Sequence, residues 1–415
     1  MHVLTRYRFG FHDSEFCISP RMKVAVIFHR FGPYHCARLG AASRRFTVFG
    51  IEIAAETREC HWSPIRGSMG YSRLTLFSSG DSRTFPGSRV SERVGKALAN
   101  CSPDAVAIPG WSDTAAIAAL RWCAKTGTPA ILMSESTAID KRRTRWLEWI
   151  KRRIVGLCQA ALVGGQRHVD YLVSLGMPRE RIFTGYDVVD NAYFVRRAEE
   201  VRSQKKELRS QYGLPKNYFL ASARFIAKKN LPMLVRAYAG YRKLAHDRPW
   251  DLVLLGDGPL RQTLNAQLSA LNLHPYVRLP GFKQYDELPV YYALANAFVH
   301  ASTTEQWGLV VNEAIASGLP VVVSNRCGCI PELVRDNGFA FDPANEQELA
   351  LRLFKLASLS DLERARLGEA SRKIAVNFGL ERFGGGLEEA VVLALSCRRK
   401  AGPIDRLVIN ALARV

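Results

Sequence analysis

The feature that most constrains this chain is a repeated alternation of short, β-rich apolar runs with helical stretches. Apolar runs fall at Lys23–Phe28, Phe46–Ile51, Ala105–Ile108, Ala130–Met133, Ala160–Val163 and Arg181–Thr184, with helical patterns such as Thr114–Thr126 and His168–Leu175 between them. A second series has apolar runs at Phe219–Ala223, Leu252–Leu255, Val277–Pro280, Ala297–His300 and Val321–Ser324. Its helical stretches are Leu231–Leu244, Leu260–Leu271, Glu287–Leu294, Val310–Ser317 and Glu346–Leu356. Alternation of this kind predicts parallel sheets with helices on both faces, and so an α/β protein. Residues 60–100 are richer in Ser, Gly and Arg and read as a loop-rich insertion.

Two such series in 415 residues predict two Rossmann-like domains facing a central cleft, with ligands at the carboxyl ends of the strands. The expected division is an N-terminal domain over 22–195, a polar linker over 196–215, in a segment consistent with a short helix, and a C-terminal domain over 216–375. A helix over 376–400 is expected to return to the first domain, followed by a tail at 401–415. Residues 1–21 read as an extension, or as an over-extended start with Met22 as the true initiator.

Hydrophobic residues make up 47% of the chain, enough for sizeable cores, which excludes a disordered or fibrous protein. The unusual quantity is a net charge of +20, which calls for anionic partners. No run reaches the ~18–20 apolar residues that span a bilayer. The N-terminus has no secretory signal, and nine dispersed cysteines suit a reducing compartment, so a cytoplasmic protein is expected. Cys327 and Cys329 stand as a lone pair, better read as small side chains in a loop than as metal ligands. No nucleic-acid-binding module is recognisable, so nucleic acid is not an expected partner.

The densest chemistry lies in Glu305–Glu313, EQWGLVVNE, between an expected strand and an expected helix ended by Gly318-Leu319-Pro320. The amides of Gly308, Leu309 and Val310 then sit at a helix N-terminus and suit a phosphate. Glu313, about one turn in, can accept hydrogen bonds from two vicinal hydroxyls. Glu305…Glu313 has the E-x7-E spacing of retaining GT-B glycosyltransferases, and the sequence resembles glycosyltransferase family 4, most strongly over 219–343.

The resemblance implies that Glu313 holds a nucleotide ribose, Glu305 meets the donor sugar, and Arg224 with Lys229 neutralises the diphosphate. Lys228 competes with Lys229 for that part. Gly256, Gly281 and Phe282 would border the base. It also implies a UDP- or GDP-sugar donor, a glycan or lipid-linked acceptor, retention of configuration, and no metal or other cofactor. On the acceptor side, Gly32 and His35 follow the first strand, His35 being open to reading as a helix-start residue. By the same resemblance, many relatives carry, close to the donor sugar, a His at about the position of Glu135, and Glu135 is the candidate to replace its hydrogen-bonding role; Asn is usual where Asp187 stands, and Asp190 is retained.

The run Lys141–Arg153, KRRTRWLEWIKRR, sets Trp146, Trp149, Ile150 and Ile154 at helical spacing among basic residues. This pattern fits either a helix lying on an anionic membrane or a core-packed helix with a charged outer face. Alternatives to the transferase are another GT-B nucleotide-sugar enzyme, such as an epimerase or a phosphorylase-like protein, a basic nucleic-acid-binding protein, or a catalytically silent fold.

Overall fold

The structure is a computed structural model describing residues 21–55, 62–63, 70–80, 85–246, 249–397 and 402–412. The proposed N-terminal extension therefore lies, but for Arg21, outside the described residues.

The first sheet is built from β1 (Lys23–Phe28), β2 (Thr47–Ala54), β3 (Ser72–Phe77), β4 (Ala105–Pro109), β5 (Ala130–Ser134), β6 (Ala160–Val163) and β7 (Ile182–Thr184). It runs in the order β3-β2-β1-β4-β5-β6-β7, every pairing parallel. Its helices are α1 (Pro33–Ala42), α2 (Gly87–Cys101), α3 (Thr114–Thr126), α4 (Arg145–Leu157) and α5 (Gln166–Ser174). Two apolar cores, one on each face, bury its central strands, which is why these read as unbroken apolar runs.

The second sheet holds β8 (Tyr218–Ser222), β9 (Asp251–Leu255), β10 (Val277–Gly281), β11 (Ala297–His300), β12 (Val321–Ser324) and β13 (Gly338–Phe341) in the order β10-β9-β8-β11-β12-β13, again all parallel. The strand order reverses between β1 and β4 in one domain and between β8 and β11 in the other. Those two points are where an open parallel sheet accepts ligands.

The helices of the second half are α6 (Asn191–Ser203), α7 (Lys205–Gln211), α8 (Leu231–Leu244), α9 (Arg261–Ala270), α10 (Leu288–Leu294), α11 (Leu309–Ala316), α12 (Ile330–Leu333), α13 (Glu346–Ala357), α14 (Asp361–Val376), α15 (Leu380–Ser396) and α16 (Pro403–Leu412). The loop-rich insertion expected over 60–100 instead carries β3 and α2. β3 is an edge strand with a polar sequence, SRLTLF, buried only at its last two residues, so it lacks the apolar run of a central strand. The linker of 196–215 is helical and packed: Phe194, Ala198 and Val201 of α6 join the core of the second domain.

Helix α15 crosses to the first domain, where Phe383, Leu387, Ala390 and Val391 share a core with Val24, Val26 and Ile131. The expected tail forms α16, which packs on α3 and α4, with Asp405 Oδ1 3.5 Å from Arg153 Nη1. Helix α4 divides the residues expected on one side. Ile154 is buried and Ile150 packs against the core, whereas Trp146 and Trp149 are 64% and 47% exposed.

Candidate active site

β11 delivers the centre of the site. It ends on His300, and the following loop brings Glu305 back to face it. Glu305 forms an ion pair with Lys229, which stands in the short 3-10 turn Ala227–Lys229 after β8, and Lys228 Nζ lies 3.9 Å away. His300 Nε2 is 3.3 Å from Glu305 Oε2, Ser302 Oγ donates to the same oxygen at 3.3 Å, and Ser302 Oγ lies 3.0 Å from His300 Nε2. Burial alone would raise the Glu305 carboxyl, but the His300 hydrogen bond and the Lys229 charge hold it well below the usual range. Glu305 is therefore an anion at any physiological pH. Sequence reasoning passed over His300, although a histidine ending an apolar strand is a visible signal.

The loop carrying Glu305 is fixed from below. Glu305 bridges Cys327, and the Gly328 amide donates to Glu305 O at 2.9 Å. A Cβ on Gly328 would stand 1.7 Å from Gln306 O, so no side chain fits there. Cys327 and Cys329 are buried free thiols in this packing. Across the switch point, Arg224 follows β8 with its side chain exposed. Gly256-Asp257-Gly258 packs behind it: the Phe225 amide donates to Asp257 O at 2.8 Å, and a Cβ on Gly256 (φ 120°) would meet Ala223 O at 1.9 Å.

Gly308 caps α11 in a left-handed conformation, and no side chain caps the helix. Its first amides, on Leu309 and Val310, belong to a helix N-terminus that suits an anion. One turn on, Glu313 is fully buried. Tyr34 of the first domain donates its hydroxyl to Glu313 Oε1, and Tyr292 of α10 sits beside the same carboxyl; among the described residues neither Glu313 Oε2 nor the Tyr292 hydroxyl has a hydrogen-bond partner at full bonding geometry. Burial raises this carboxyl to about 7, against the pull of Tyr292 and Tyr34. Sequence reasoning quoted Tyr34 only as part of a loop, because its partner lies 279 residues away.

Tyr34 belongs to an aromatic wall shared by both domains. Its ring lies 6.3 Å from Trp62 and 5.7 Å from Tyr285, and Trp62 lies 5.2 Å from Phe282. Tyr193 stacks on Tyr285 at 4.8 Å. Phe282, which follows Gly281 at the end of β10, remains 37% exposed.

On the first-domain side, Gly32 precedes α1 and donates its amide to His35 Nδ1 at 3.1 Å. His35 packs on Phe28 with 4.5 Å between ring centres, and burial lowers its pKa to about 3. One of its two ring nitrogens is thus committed to the helix start. Glu135 follows β5, and Asp187, which follows β7, is buried with its Oδ1 3.8 Å from Arg38 Nη2. The domains meet beside these residues: His168 Nε2 lies 3.1 Å from Gln306 O, and Arg167 Nη1 donates to Cys327 O at 2.8 Å. The structure thus gathers Glu305 and Lys229 into one pair. It sets the Leu309 and Val310 amides and Glu313 on one helix, and keeps His35 in the turn that opens α1.

Residues 204–374 match the family model "Glycosyl transferases group 1". The chain is 31% identical to alpha-monoglucosyldiacylglycerol synthase of Streptococcus pneumoniae over 187 residues, 44% of this chain and 42% of that protein. It is 34% identical to sulfoquinovosyl transferase SQD2 of Arabidopsis thaliana over 179 residues, 41% of this chain and 32% of that protein. The chain therefore spans less than half the length of these curated relatives. A glycosyltransferase from Rickettsia africae shares the fold, with a TM-score of 0.69 at 15% identity over 90% of this chain and 99% of that one. Anabaena HepE in complex with UDP does so with a TM-score of 0.67 at 17% identity, over 89% and 100% of the two chains. Both likenesses establish the fold, which is GT-B.

Proposed function

Because residues 204–374 match the model of the glycosyl transferases group 1, we propose that this chain moves a sugar from a nucleotide-diphosphate sugar to a glycan or lipid-linked acceptor. The observation that carries this reading is the buried Glu313 carboxylate, whose Oε2 takes no hydrogen bond from any described residue, one turn inside a helix whose N-terminal amides have no side-chain cap among those residues. A ribose diol and a diphosphate supply the groups that this arrangement lacks. In this reading Arg224, Lys229 and the α11 amides carry the charge of the diphosphate without a metal, and Glu305 meets the donor sugar. The bond from the sugar's anomeric carbon to the diphosphate breaks while the acceptor oxygen bonds to the same face of that carbon. The acceptor's proton passes to the leaving phosphate oxygen, so configuration is retained and no protein nucleophile is needed.

A thermal-shift panel of nucleoside diphosphates tests this reading. UDP or GDP is expected to raise the melting temperature, since a ligand at ~100 times its Kd stabilises by about 2.7 kcal/mol. No shift with any diphosphate at millimolar concentration refutes the reading.

We further infer that the acceptor cleft works at the cytoplasmic face of an anionic membrane. Trp146 and Trp149 stand exposed among the exposed Lys141, Arg142, Arg145 and Arg152, and Leu407 of α16, 72% exposed, belongs to the helix packed beside them. Exposed indoles with a basic surround suit the headgroup region of anionic lipid. Among the described residues no helix is long and apolar enough to cross a membrane. The protein is expected to float with vesicles containing anionic lipid at low salt and to be released by added salt. Absence from anionic vesicles at low salt ends the idea.

A further inference from the structure

The first domain grips the loop of Glu305 on both sides of that residue. On one side Thr304 Oγ1 donates to Asp140 O at 3.3 Å. Arg326, whose carbonyl accepts the Glu305 amide at 3.4 Å, donates Nη2 to Ile139 O at 3.3 Å. On the other side His168, in the first turn of α5, sets its Nε2 3.1 Å from Gln306 O. Residues 304 and 306 are thus both tied to the opposite domain.

The His168 bond has a defined direction. Its Nδ1 accepts the Gly165 amide at 3.2 Å, so the neutral ring carries its proton on Nε2 and donates it to Gln306 O. His168 is 0% exposed, and burial lowers its pKa to about 4, which keeps the ring neutral and in this tautomer. Glycines leave room for it at the junction: a Cβ on Gly164 or Gly328 would stand 3.1 or 3.2 Å from His168 Cε1. The neighbours of His168 on α5 dock as well. The Gln166 amide donates to Glu332 Oε1 at 2.5 Å, and Arg167 Nη1 donates to Cys327 O at 2.8 Å.

We propose that His168 is a positioning residue for sugar transfer: through Gln306 O it fixes the loop that presents Glu305, so the first domain aims the donor-sugar residue of the second. This rests on the reading of Glu305 as the residue beside the donor sugar. Within the second domain, His300, Ser302 and Lys229 hold the carboxylate of Glu305, and the Gly328 amide holds its carbonyl at 2.9 Å. Those contacts set its charge and one edge of the loop. The flanking residues are set by α5 and by the chain after β5. Displacing a reacting group by about 1 Å can cost about 10²-fold in rate, so a bond one residue away from Glu305 is felt in turnover.

The test separates the two bonds of the imidazole. His168→Asn keeps an acceptor for the Gly165 amide but is too short to reach Gln306 O. It is expected to lower kcat for release of sugar from UDP-glucose or GDP-mannose about 10- to 100-fold. The Kd for UDP or GDP should stay within about twofold, because Arg224 and Glu313, assigned to the nucleotide, lie on other segments. His168→Gln, which places an N–H near the position of Nε2, should recover most of the rate. Thr304→Val, which removes the hydroxyl from Asp140 O and keeps the shape, should lower kcat about threefold with the same unchanged Kd. In a Glu305→Gln background His168→Asn should cost less than about twofold more, since nothing remains for it to position. A loss undiminished in that background, or a Kd that rises in step with the fall in kcat, overturns the positioning role and leaves the transferase reading standing. Wild-type turnover in Glu305→Gln overturns the reading of Glu305, and this proposal with it.

A second measurement needs no substrate. The Glu305 and Gly328 amides, bonded to Arg326 O and Glu305 O, report on the loop by hydrogen exchange. Both should exchange faster in His168→Asn than in wild type and return towards wild type in His168→Gln, while the amides of β8 stay slow in all three. Unchanged exchange at Glu305 and Gly328 in His168→Asn overturns the proposal even if no nucleotide sugar is ever turned over.

Discussion

Replacing Arg224 with alanine is expected to lower sugar transfer by about 10²-fold or more, the cost of removing one group that stabilises charge developing in the transition state. The leaving nucleotide diphosphate gains negative charge as the sugar departs, and Arg224 stands at the carboxyl end of β8, at the switch point of the second sheet. Its side chain is exposed, so truncation opens no cavity. The loop itself is held by backbone bonds, Phe225 N–H to Asp257 O at 2.8 Å and Leu260 N–H to Phe225 O at 3.0 Å. The melting temperature should accordingly stay near that of wild type while kcat falls. Lysine at this position should recover only part of the rate, because a point charge lacks the two-pronged geometry of guanidinium against phosphate. Full turnover in Arg224→Ala removes Arg224 from the site.

Glu313→Ala is the second large effect, again about 10²-fold in kcat/KM, since hydrogen bonds to a carboxylate contribute about 1.5–3 kcal/mol each and two are lost. This loss should fall mainly on donor affinity, because the ribose is held equally in ground and transition states. The pH dependence identifies the group. A carboxylate must be ionised to accept two hydroxyls, so with a pKa of about 7 donor affinity should rise as pH passes through that value. Stability should move the other way. The folded pKa lies above the unfolded reference of 4.5, so protons favour the folded state and stability falls as pH rises from there to about 7. Glu313→Gln should remove that slope and keep the fold. Donor affinity independent of pH between 5.5 and 8.5, or wild-type turnover in Glu313→Ala, excludes the ribose role.

The elements most legible in the sequence were those buried on both faces. β1, β6, β11 and β12, with α3 and α8, have the bounds that their apolar runs and helical periodicity gave. At the margins only part was legible: the edge strands β7 and β10 were read to within a residue, but others were missed because partial burial leaves a mixed sequence. β3 is a polar edge strand, β13 a four-residue edge strand, and α6 and α7 carry charge on most of their surface. The same division runs through the site. Glu305, Glu313 and the amides between them could be read as a unit because one loop and one helix carry them all.

The sequence alone therefore determined what local chain geometry controls: two parallel α/β domains, a helix N-terminus suited to phosphate, and acidic and basic side chains at the mouths of particular strands. Tertiary structure decided which of those side chains share a charge or a hydrogen bond. Tyr34 reaches Glu313 across 279 residues, His300 turns back on Glu305, and Arg167 of the first domain reaches Cys327 O of the second. Such pairings depend on the order of strands in the sheet and on the close approach of the domains. Those follow from packing the cores, and no spacing along the chain encodes them.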